Sequence, residues 1–309
     1  MKIVKSTEAI TVDHPVFLIF GRPGICKTSL GYSAPDPLLW DFDKGAHRAV
    51  NRKDTLVIDT WNDVTEAMDD TEALSAYKTS VVDTVGRALD VLTVDILAKV
   101  PKAGTNGNLS LQGYGHLKSG FKTWINRMRS LGQDVLLISH DKEDKKGDDV
   151  IVRPDIVGGS LGEVMRLADF VGYLYMDGKQ RTLDFSPTSE WVGKNPAQWK
   201  PFPVPPAAKA GSFMAELMAE GRLALGRISE GSAKVTIAVE TFRVLLDGLT
   251  TGEQLTTAIP EAAKLEPAAA ATQAKHLIMA RAEAIGVKFD TKTKTFVPDP
   301  AKAAAAVTE

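Results

Sequence analysis

The chain has 309 residues, of which 44% are hydrophobic and 25% charged, a composition typical of a globular protein with a sizeable core. The net charge of -2 excludes a protein that attracts polyanions over its whole surface, so any nucleic-acid site must come from local clustering. A single cysteine excludes an internal disulfide and favours a reducing cytoplasm. The sequence also lacks the apolar core of a signal peptide and any run of the roughly 18 apolar residues that span a membrane.

Predicted strands and helices alternate along the first two thirds of the chain. Apolar runs predict strands at 16–20, 37–43, 55–61, 77–85, 134–140, 169–178 and 180–187. Helical spacing predicts helices after Lys27 and at 62–70, 86–100, 114–132 and 160–168. Such alternation predicts an α/β fold with a mostly parallel sheet between two layers of helices, and the last two strands favour an antiparallel edge.

The composition changes near residue 203, where PVPPAAKAG has the character of a linker. Beyond it the patterns predict a helix at 212–225, an extended stretch at 233–240, further helices within 241–285 and a small hairpin at 286–297. Alanine-rich residues at the end predict a frayed tail. We therefore expect a core domain over 1–204 and a smaller, mainly helical region over 205–309.

The stretch GRPGICKTSL follows the first predicted strand and nearly matches the phosphate-binding loop G-x-x-x-x-G-K-[ST]. In such loops, backbone N–H groups hold phosphate oxygens, the lysine neutralises the terminal phosphates and the Ser/Thr hydroxyl binds magnesium. The alternative is a glycine-rich turn without a ligand, which explains the glycines but not Lys27 and Thr28 at the correct offset. The candidate nucleotide-binding residues are Gly21, Arg22, Pro23, Gly24, Ile25, Cys26, Lys27, Thr28 and Ser29.

Cys26 stands where the pattern has its second glycine. If the backbone there needs a positive φ, a Cβ costs about 1–2 kcal/mol. If the residue already belongs to the first helical turn, cysteine fits with little strain. The departure places the rate of hydrolysis in question more than the binding of nucleotide.

Polar side chains end three of the predicted strands. VVD ends in Asp83, WDFD in Asp41 and Asp43, and LLISH in Ser139 and His140. Ligands of open α/β sheets bind beyond the carboxyl ends of the strands, although a turn or capping role is an alternative for each residue. An aspartate in the position of Asp83 holds magnesium, and a carboxylate near the γ-phosphate orients the attacking water.

The order of these stretches resembles a RecA-type ATPase core. The pattern GRPGxxKTSL, PLLWDFDKG, VVDTVGRALD and LLISHDKEDK is most similar to the phage RecA-like single-strand annealing and recombination ATPases, over about residues 14–186. The resemblance implies that ATP and Mg²⁺ are the cofactors and that Thr28 and Asp83 hold the metal. It further implies catalytic roles for Lys27, for Asp43 in place of the family's glutamate, and for His140 in place of its polar γ-phosphate sensor.

The same resemblance implies partners and a compartment. It implies single-stranded DNA as the ligand, a homo-oligomer as the assembly and a single-strand-binding protein as a further candidate partner, with no membrane partner. It places the protein in the cytoplasm of a phage-infected bacterium. Two arginines late in the core, Arg166 and Arg181, are each interpreted as members of surface salt bridges, with an arginine finger as the alternative.

A basic stretch without acidic residues, 101–133, contains interleaved aromatic residues, as single-stranded DNA sites do. The alternative is that Phe121 and Trp124, at helical spacing, belong to the core. A second loop, 141–153, mixes basic and acidic residues and is equally well explained as a solvated hairpin. The candidate DNA-binding residues are Lys102, Lys118, Lys122, Lys142, Lys145, Lys146 and Arg153.

Three functional hypotheses follow from these patterns. The first is a DNA-stimulated ATPase that acts in recombination or single-strand annealing. The second is an annealing switch that binds nucleotide without hydrolysing it, which Cys26 and Asp43 favour. The third is another P-loop machine, such as a helicase loader or a small-molecule kinase.

Overall fold

The computed structural model describes residues 3–146, 149–157 and 159–299, apart from the side chains of Lys146 and Asp149. Within these residues, nine strands form one sheet. Their bounds are β1 (Val16–Gly21), β2 (Pro37–Asp41), β3 (Thr55–Val57), β4 (Thr79–Asp83), β7 (Asp134–Lys146), β8 (Asp149–Pro154), β9 (Phe170–Asp177), β10 (Gln180–Asp184) and β11 (Phe202–Val204). Two short hairpins pair separately, β5 (Gly104–Thr105) with β6 (Asn108–Leu109) and β12 (Val287–Asp290) with β13 (Thr295–Pro298).

The sheet has the order β11-β10-β9-β1-β7-β4-β2-β3, and β8 pairs with the extended end of β7. All pairs from β9 to β3 are parallel, whereas β10 and β11 form an antiparallel edge. The predicted α/β fold with a mostly parallel sheet is therefore confirmed. The parallel register brings the ends of β1, β7, β4 and β2 to one edge of the sheet, since Gly21 pairs with His140 and Asp41 with Asp83.

The helices are α1 (Lys27–Gly31), α2 (Trp61–Asp69), α3 (Thr71–Leu74), α4 (Val85–Lys99), α5 (Leu111–Ser130), α6 (Ser160–Leu167), α7 (Phe213–Asp247), α8 (Gly252–Ala263) and α9 (Ala268–Ala284). Among the described residues, no helix is both long and apolar enough to cross a membrane.

Two hydrophobic clusters cover the two faces of the sheet because alternate residues of a strand point to opposite sides. Strand β1 shows this directly, since Val16, Leu18 and Phe20 belong to one cluster and Phe17 and Ile19 to the other. Both sets are fully buried, which explains why the strand is a continuous apolar run instead of an alternating one.

The aromatic residues of α5 belong to the core. Phe121 and Trp124 are almost completely buried, and the Trp124 ring meets those of Trp40, Phe42 and Trp61 edge to face at 5.3–5.8 Å. The interpretation of these rings as core residues is therefore correct, and they offer no stacking surface to DNA.

The contacts divide the chain into two compact units, residues 12–225 and residues 1–11 with 226–309. The second unit contains α8, α9 and the β12–β13 hairpin around a small core that includes Phe242, Leu246 and Ile278. The hairpin predicted at 286–297 is confirmed. The alanine-rich tail predicted after residue 299 lies outside the described residues.

One predicted element is wrong. Residues 233–240 were expected to be extended because of their β-branched residues, but they lie within the 35-residue helix α7. The earlier part of the same helix, 213–225, is rich in Ala, Leu, Met and Glu, which are strong helix formers, and extending an existing helix is far easier than nucleating a new one. Burial of Ala233, Phe242 and Leu246 also stabilises the helix, which overrides the weak local preference.

Candidate functional site

The loop between β1 and α1 has the conformation of a phosphate-binding loop with two positions that require glycine. A Cβ on Gly21 would lie 2.3 Å from the carbonyl oxygen of Leu174 on the adjacent strand β9. Gly24 has a φ of +77°, which L-residues with a side chain rarely adopt. The Ile25 N–H donates to the Arg22 carbonyl oxygen at 3.4 Å, whereas the first N–H groups of α1 lack an acceptor within the helix and can bind a phosphate.

Of the two conformations considered for Cys26, a positive φ or the first helical turn, the residue adopts the strained one with a positive φ. Its φ of 73° and ψ of 28° lie in the left-handed region, at the residue that precedes α1. A Cβ in this conformation costs about 1–2 kcal/mol relative to glycine. The half-buried thiol lies 3.8 Å from the carbonyl oxygen of Gly24, so the side chain offers little to offset this strain.

Lys27 is buried, and its ammonium group is held by the loop itself. Nζ donates to the carbonyl oxygens of Gly21 at 2.7 Å and Arg22 at 2.9 Å. Burial lowers the pKa of Lys27, an effect that the nearby carboxylate of Asp83 opposes. A bound phosphate would be a stronger acceptor than these carbonyls, because its negative charge also forms an ion pair with the ammonium group.

Thr28 and Asp83 form the candidate metal site. The Thr28 hydroxyl donates to Asp83 Oδ2 at 2.6 Å, and burial of the carboxyl raises the pKa of Asp83 to about 6. Adjacent hydroxyl and carboxylate oxygens suit Mg²⁺, which prefers hard oxygen ligands and takes its remaining ligands from water and phosphates. Within the described ranges, no cluster of three or more His, Cys, Asp or Glu forms a complete protein cage for a metal. Thr28 and Asp83 therefore fit an Mg²⁺ ion that takes its other ligands from the phosphates of a bound nucleotide and from water.

Asp43 lies between two cationic or polar partners. His140 Nε2 is 3.2 Å from Asp43 Oδ2, and Arg87 Nε is 3.5 Å from Asp43 Oδ1. The hydrogen bond from His140 is the main reason that the pKa of Asp43 lies below its usual value, and Arg87 adds to the effect. Asp43 is therefore an ionised carboxylate near neutral pH.

The contacts of His140 determine its tautomer. Nδ1 lies 3.4 Å from Lys27 Nζ, and an ammonium group has only donors. Nδ1 must therefore accept, which leaves Nε2 to carry the proton and donate it to Asp43. The His140 imidazole thus links the lysine of the loop to the candidate catalytic carboxylate.

The two other polar strand ends have structural roles. Asp41 is buried and accepts hydrogen bonds from the backbone N–H groups of Gly45 at 3.0 Å and Ala46 at 3.1 Å. Ser139 is buried and donates to the carbonyl oxygen of His140. The turn role that was the alternative for each strand end therefore applies to Asp41, whose capping bonds order the turn after Asp43.

Arg87 is a site residue that motif reasoning missed. It lies in the first turn of α4, four residues after Asp83. Because β2 and β4 are neighbours, the start of α4 comes close to Asp43, which lies two residues after the end of β2. With the strand order known, a basic residue in the first turn of α4 would indicate a partner for Asp43. No short motif contains both Arg87 and Asp43.

The candidate DNA-binding residues divide between two regions. Lys118 and Lys122 lie on α5 beside the start of α6, where Lys122 is 4.0 Å from Glu163, and Lys102 is exposed in the turn after α4. Lys142 and Lys145 are exposed on the β7–β8 hairpin, and Lys146, also on β7, has its side chain outside the described residues. Arg153 is engaged within the hairpin, where it pairs with Asp144 and donates to the carbonyl oxygen of Pro154.

Arg166 and Arg181 differ in their contacts. Arg166 pairs with Glu163 at 2.6 Å, as expected for a salt bridge. Arg181 does not form one among the described residues, and its Nε is buried without a hydrogen-bond partner. The salt-bridge interpretation of Arg181 is therefore wrong, because no carboxylate of the described residues lies within 4 Å of its guanidinium nitrogens.

This fold and site define a P-loop NTPase: a phosphate loop after a central parallel strand, with a hydroxyl beside a buried aspartate at the end of a nearby strand. A family model described as an AAA domain, AAA_24, matches residues 13–197, more than half of the chain. The chain therefore belongs to this family, whose P-loop domain implies nucleotide binding.

Two further comparisons complete this result. A KaiC-like protein from the hyperthermophilic archaeon Pyrococcus horikoshii is similar over 57% of this chain and 86% of its own, with 9% identity and a TM-score of 0.32. A likeness at that score carries no argument about function. No curated protein matches the chain.

Proposed function

We propose that this protein is a RecA-like ATPase that hydrolyses ATP with Mg²⁺ and acts on single-stranded DNA in recombination or strand annealing. The observation that carries the proposal is the position of His140. Its ring contacts both Lys27 and Asp43, and its backbone belongs to the strand that continues into the β7–β8 hairpin. One residue thus connects the nucleotide site to a surface segment.

The described residues have the chemistry for phosphoryl transfer to water. Lys27 and the loop N–H groups bind the phosphates, and Thr28 with Asp83 holds the metal, whose charge offsets that of the phosphates. Asp43, kept ionised by His140, accepts a hydrogen bond from the attacking water and orients it. Catalysis of this reaction consists mainly of positioning and electrostatic stabilisation, so no covalent intermediate is needed.

The hairpin is the proposed output of the site. When the Lys27 ammonium group donates to a γ-phosphate instead, its contact with His140 Nδ1 weakens. His140 can then shift, and β7 transmits the shift to Asp141 and to its paired residue Pro154. A ligand shifts an equilibrium only through differential contacts, and this contact differs between free and bound states.

Single-stranded DNA is the proposed ligand of the hairpin and of the α5 surface. Lys142 and Lys145 on the hairpin and Lys122 on α5 are exposed cations that suit backbone phosphates. Assembly into a homo-oligomer and contact with a single-strand-binding protein remain parts of the proposal.

The test measures phosphate release from ATP with and without a single-stranded oligonucleotide. We expect stimulation by DNA in the wild type and loss of that stimulation in His140→Ala, with nucleotide affinity retained. The matched control is His47→Ala, because His47 is exposed and, in the part of the chain that the structure describes, its side chain has a single hydrogen-bond partner, the nearby Lys44 carbonyl oxygen at 3.1 Å. Nucleotide binding without any DNA-stimulated release in the wild type would exclude the ATPase.

One observation favours a second candidate, a nucleotide-binding annealing switch without hydrolysis. Both carboxylate oxygens of Asp43 are occupied, one by His140 and one by Arg87. Each oxygen can accept a second hydrogen bond, but if both contacts persist with ATP bound they compete with the attacking water for Asp43. The switch predicts DNA affinity that depends on ATP while phosphate release stays at background.

A further inference from the structure

A cavity of about 610 Å³ adjoins the outer side of the phosphate loop. Its lining comes from the loop, the hairpin strand β8, the edge strands β9 and β10, and the segment that contains Trp191. These residues are Arg22, Pro23, Gly24, Ile25, Val152, Tyr173, Tyr175, Met176, Arg181, Glu190 and Trp191. The cavity therefore touches both the proposed nucleotide site and the proposed DNA-binding hairpin.

Three aromatic rings form one wall of the cavity. Tyr173 and Tyr175 stack with ring centroids 5.5 Å apart, and Trp191 packs against both at 5.5 and 5.3 Å. The polar groups of two of these rings are already satisfied, since Trp191 donates to Ser186 and Tyr173 to Asp141. The wall consequently offers aromatic ring surface, with the rings inclined by 20–43° to one another, which suits stacking better than hydrogen bonding.

Two arginines in the same cavity lack partners. Among the described residues, neither the Arg22 guanidinium nor that of Arg181 has an ion pair or a hydrogen bond, and Arg181 Nε is buried. A buried guanidinium nitrogen without an acceptor is costly, so it marks a position where a ligand oxygen would stabilise the protein. Glu190, exposed at the rim, supplies one hydrogen-bond acceptor of its own.

Planar stacking surface beside guanidinium groups is the chemistry that recognises a nucleotide. We propose that this cavity is a nucleobase site, in which a base stacks on the Tyr175–Trp191 wall and its attached phosphate meets Arg22 and Arg181. Glu190 accepts a hydrogen bond from an N–H donor of the base, such as the amino group of adenine or the ring N3–H of thymine. The inference rests on the proposed function, because that function supplies both possible ligands.

Two sources of the base share this chemistry. Arg22 and Ile25 belong to the phosphate loop, which brings the base of the bound triphosphate within reach. Val152 belongs to the hairpin, which brings a base of single-stranded DNA within reach. The site is the same in both cases, and the experiment below separates the sources.

The experiment compares Tyr175→Leu, which removes the stacking ring, with the matched control Tyr175→Phe, which keeps it. One arm measures affinity for ATP and for inorganic tripolyphosphate, both with Mg²⁺. The other arm measures affinity for oligothymidylate and for an abasic oligonucleotide of equal length and charge. Loss of a stacked base lowers affinity by roughly 5- to 150-fold.

If the triphosphate supplies the base, Tyr175→Leu loses ATP affinity to that extent and keeps tripolyphosphate affinity. If DNA supplies it, the variant loses oligothymidylate affinity and keeps abasic affinity. In both cases Tyr175→Phe stays within about twofold of the wild type. A folded Tyr175→Leu protein with all four affinities unchanged overturns the site.

A second measurement needs no variant and covers a Tyr175→Leu protein that fails to fold. Wild-type protein is photocrosslinked with 8-azido-ATP and, separately, with an oligonucleotide that contains 5-iodouracil. Adducts on Tyr173, Tyr175 or Trp191 support the site, and adducts found exclusively elsewhere overturn it. Wild-type protein that binds neither ATP nor DNA refutes the proposed function itself, whereas binding with no contribution from the base refutes the site alone.

Discussion

Arg87 Nε lies 3.5 Å from Asp43 Oδ1, on the opposite side of the carboxylate from His140. The pair joins the first turn of α4 to the second residue after β2, at the edge of the sheet where the strands end. Arg87 is 64% exposed, so its attraction for Asp43 is screened by water and is worth at most about 1 kcal/mol. Because the Arg87–Asp43 ion pair is this weak, it can break when nucleotide binds to the phosphate loop.

We predict that Arg87→Ala raises the DNA-independent rate of ATP hydrolysis by up to about fivefold. Removal of the guanidinium takes away a competitor of water at Asp43 Oδ1 and one cause of the low pKa of Asp43. The acid limb of the pH–rate profile should therefore move to higher pH. Asp90→Asn is the control, because Asp90 pairs with the same arginine at 3.4 Å without touching Asp43. A lower rate with an unmoved acid limb would contradict a restraining role.

We predict that Asp83→Asn stabilises the free protein at pH 7.5 by up to about 3 kcal/mol, the equivalent of a pKa raised from 3.8 to about 6. Because the folded pKa is the higher one, the native state binds more protons than the unfolded chain between these values. Stability therefore falls as pH rises through this window. The advantage of the variant should be full above about pH 6 and disappear near pH 4.

Urea denaturation without nucleotide or metal, at pH 4 and pH 7.5, checks the Asp83→Asn prediction. The exposed Asp90→Asn variant is the control and should show no such pH dependence. Since a protonated Asp83 does not bind metal, magnesium-dependent nucleotide affinity in the wild type should also fall below about pH 6. Equal stability of Asp83→Asn and wild type at both pH values would show that the buried carboxyl carries no penalty.

We predict that Lys27→Ala weakens ATP binding by at least about 30-fold, since hydrogen bonds to a charged group contribute roughly 2 kcal/mol each. Isothermal titration with ATP and Mg²⁺ measures the change. Lys44→Ala is the matched control, because Lys44 is exposed and pairs with Asp59 outside the loop. Unchanged affinity in a folded Lys27→Ala protein would mean that the loop does not bind a triphosphate.

We predict that Cys26→Gly stabilises the protein by about 1 kcal/mol. Relief of the left-handed strain, about 1–2 kcal/mol, exceeds the entropy that a glycine loses on folding, about 0.5–1 kcal/mol. Cys26→Ala keeps the Cβ and should not be stabilised. Denaturation midpoints of the three proteins check this, and an equal gain in Cys26→Ala would assign the effect to the thiol instead of the backbone.

Local sequence patterns were sufficient for much of the fold. The β1 run, the loop glycines and the positions of Lys27 and Thr28 follow from apolar runs and fixed short spacings, which act within a few residues. The pattern failed at 233–240, where β-branched residues lie in α7, because packing of a helix face exceeds a weak propensity.

The sequence by itself determined that a strand, a phosphate loop and a helix follow one another, and that carboxylates end the neighbouring strands. Only the tertiary structure decided that Arg87 faces Asp43, that His140 bridges Lys27 and Asp43, and that Tyr175, Arg181 and Trp191 share a cavity with the loop. The physical reason is that these contacts depend on strand order and register. Both are set by the burial of whole sheet faces, which brings together residues up to about 170 positions apart in the sequence. A short motif contains no information about contacts over such a separation.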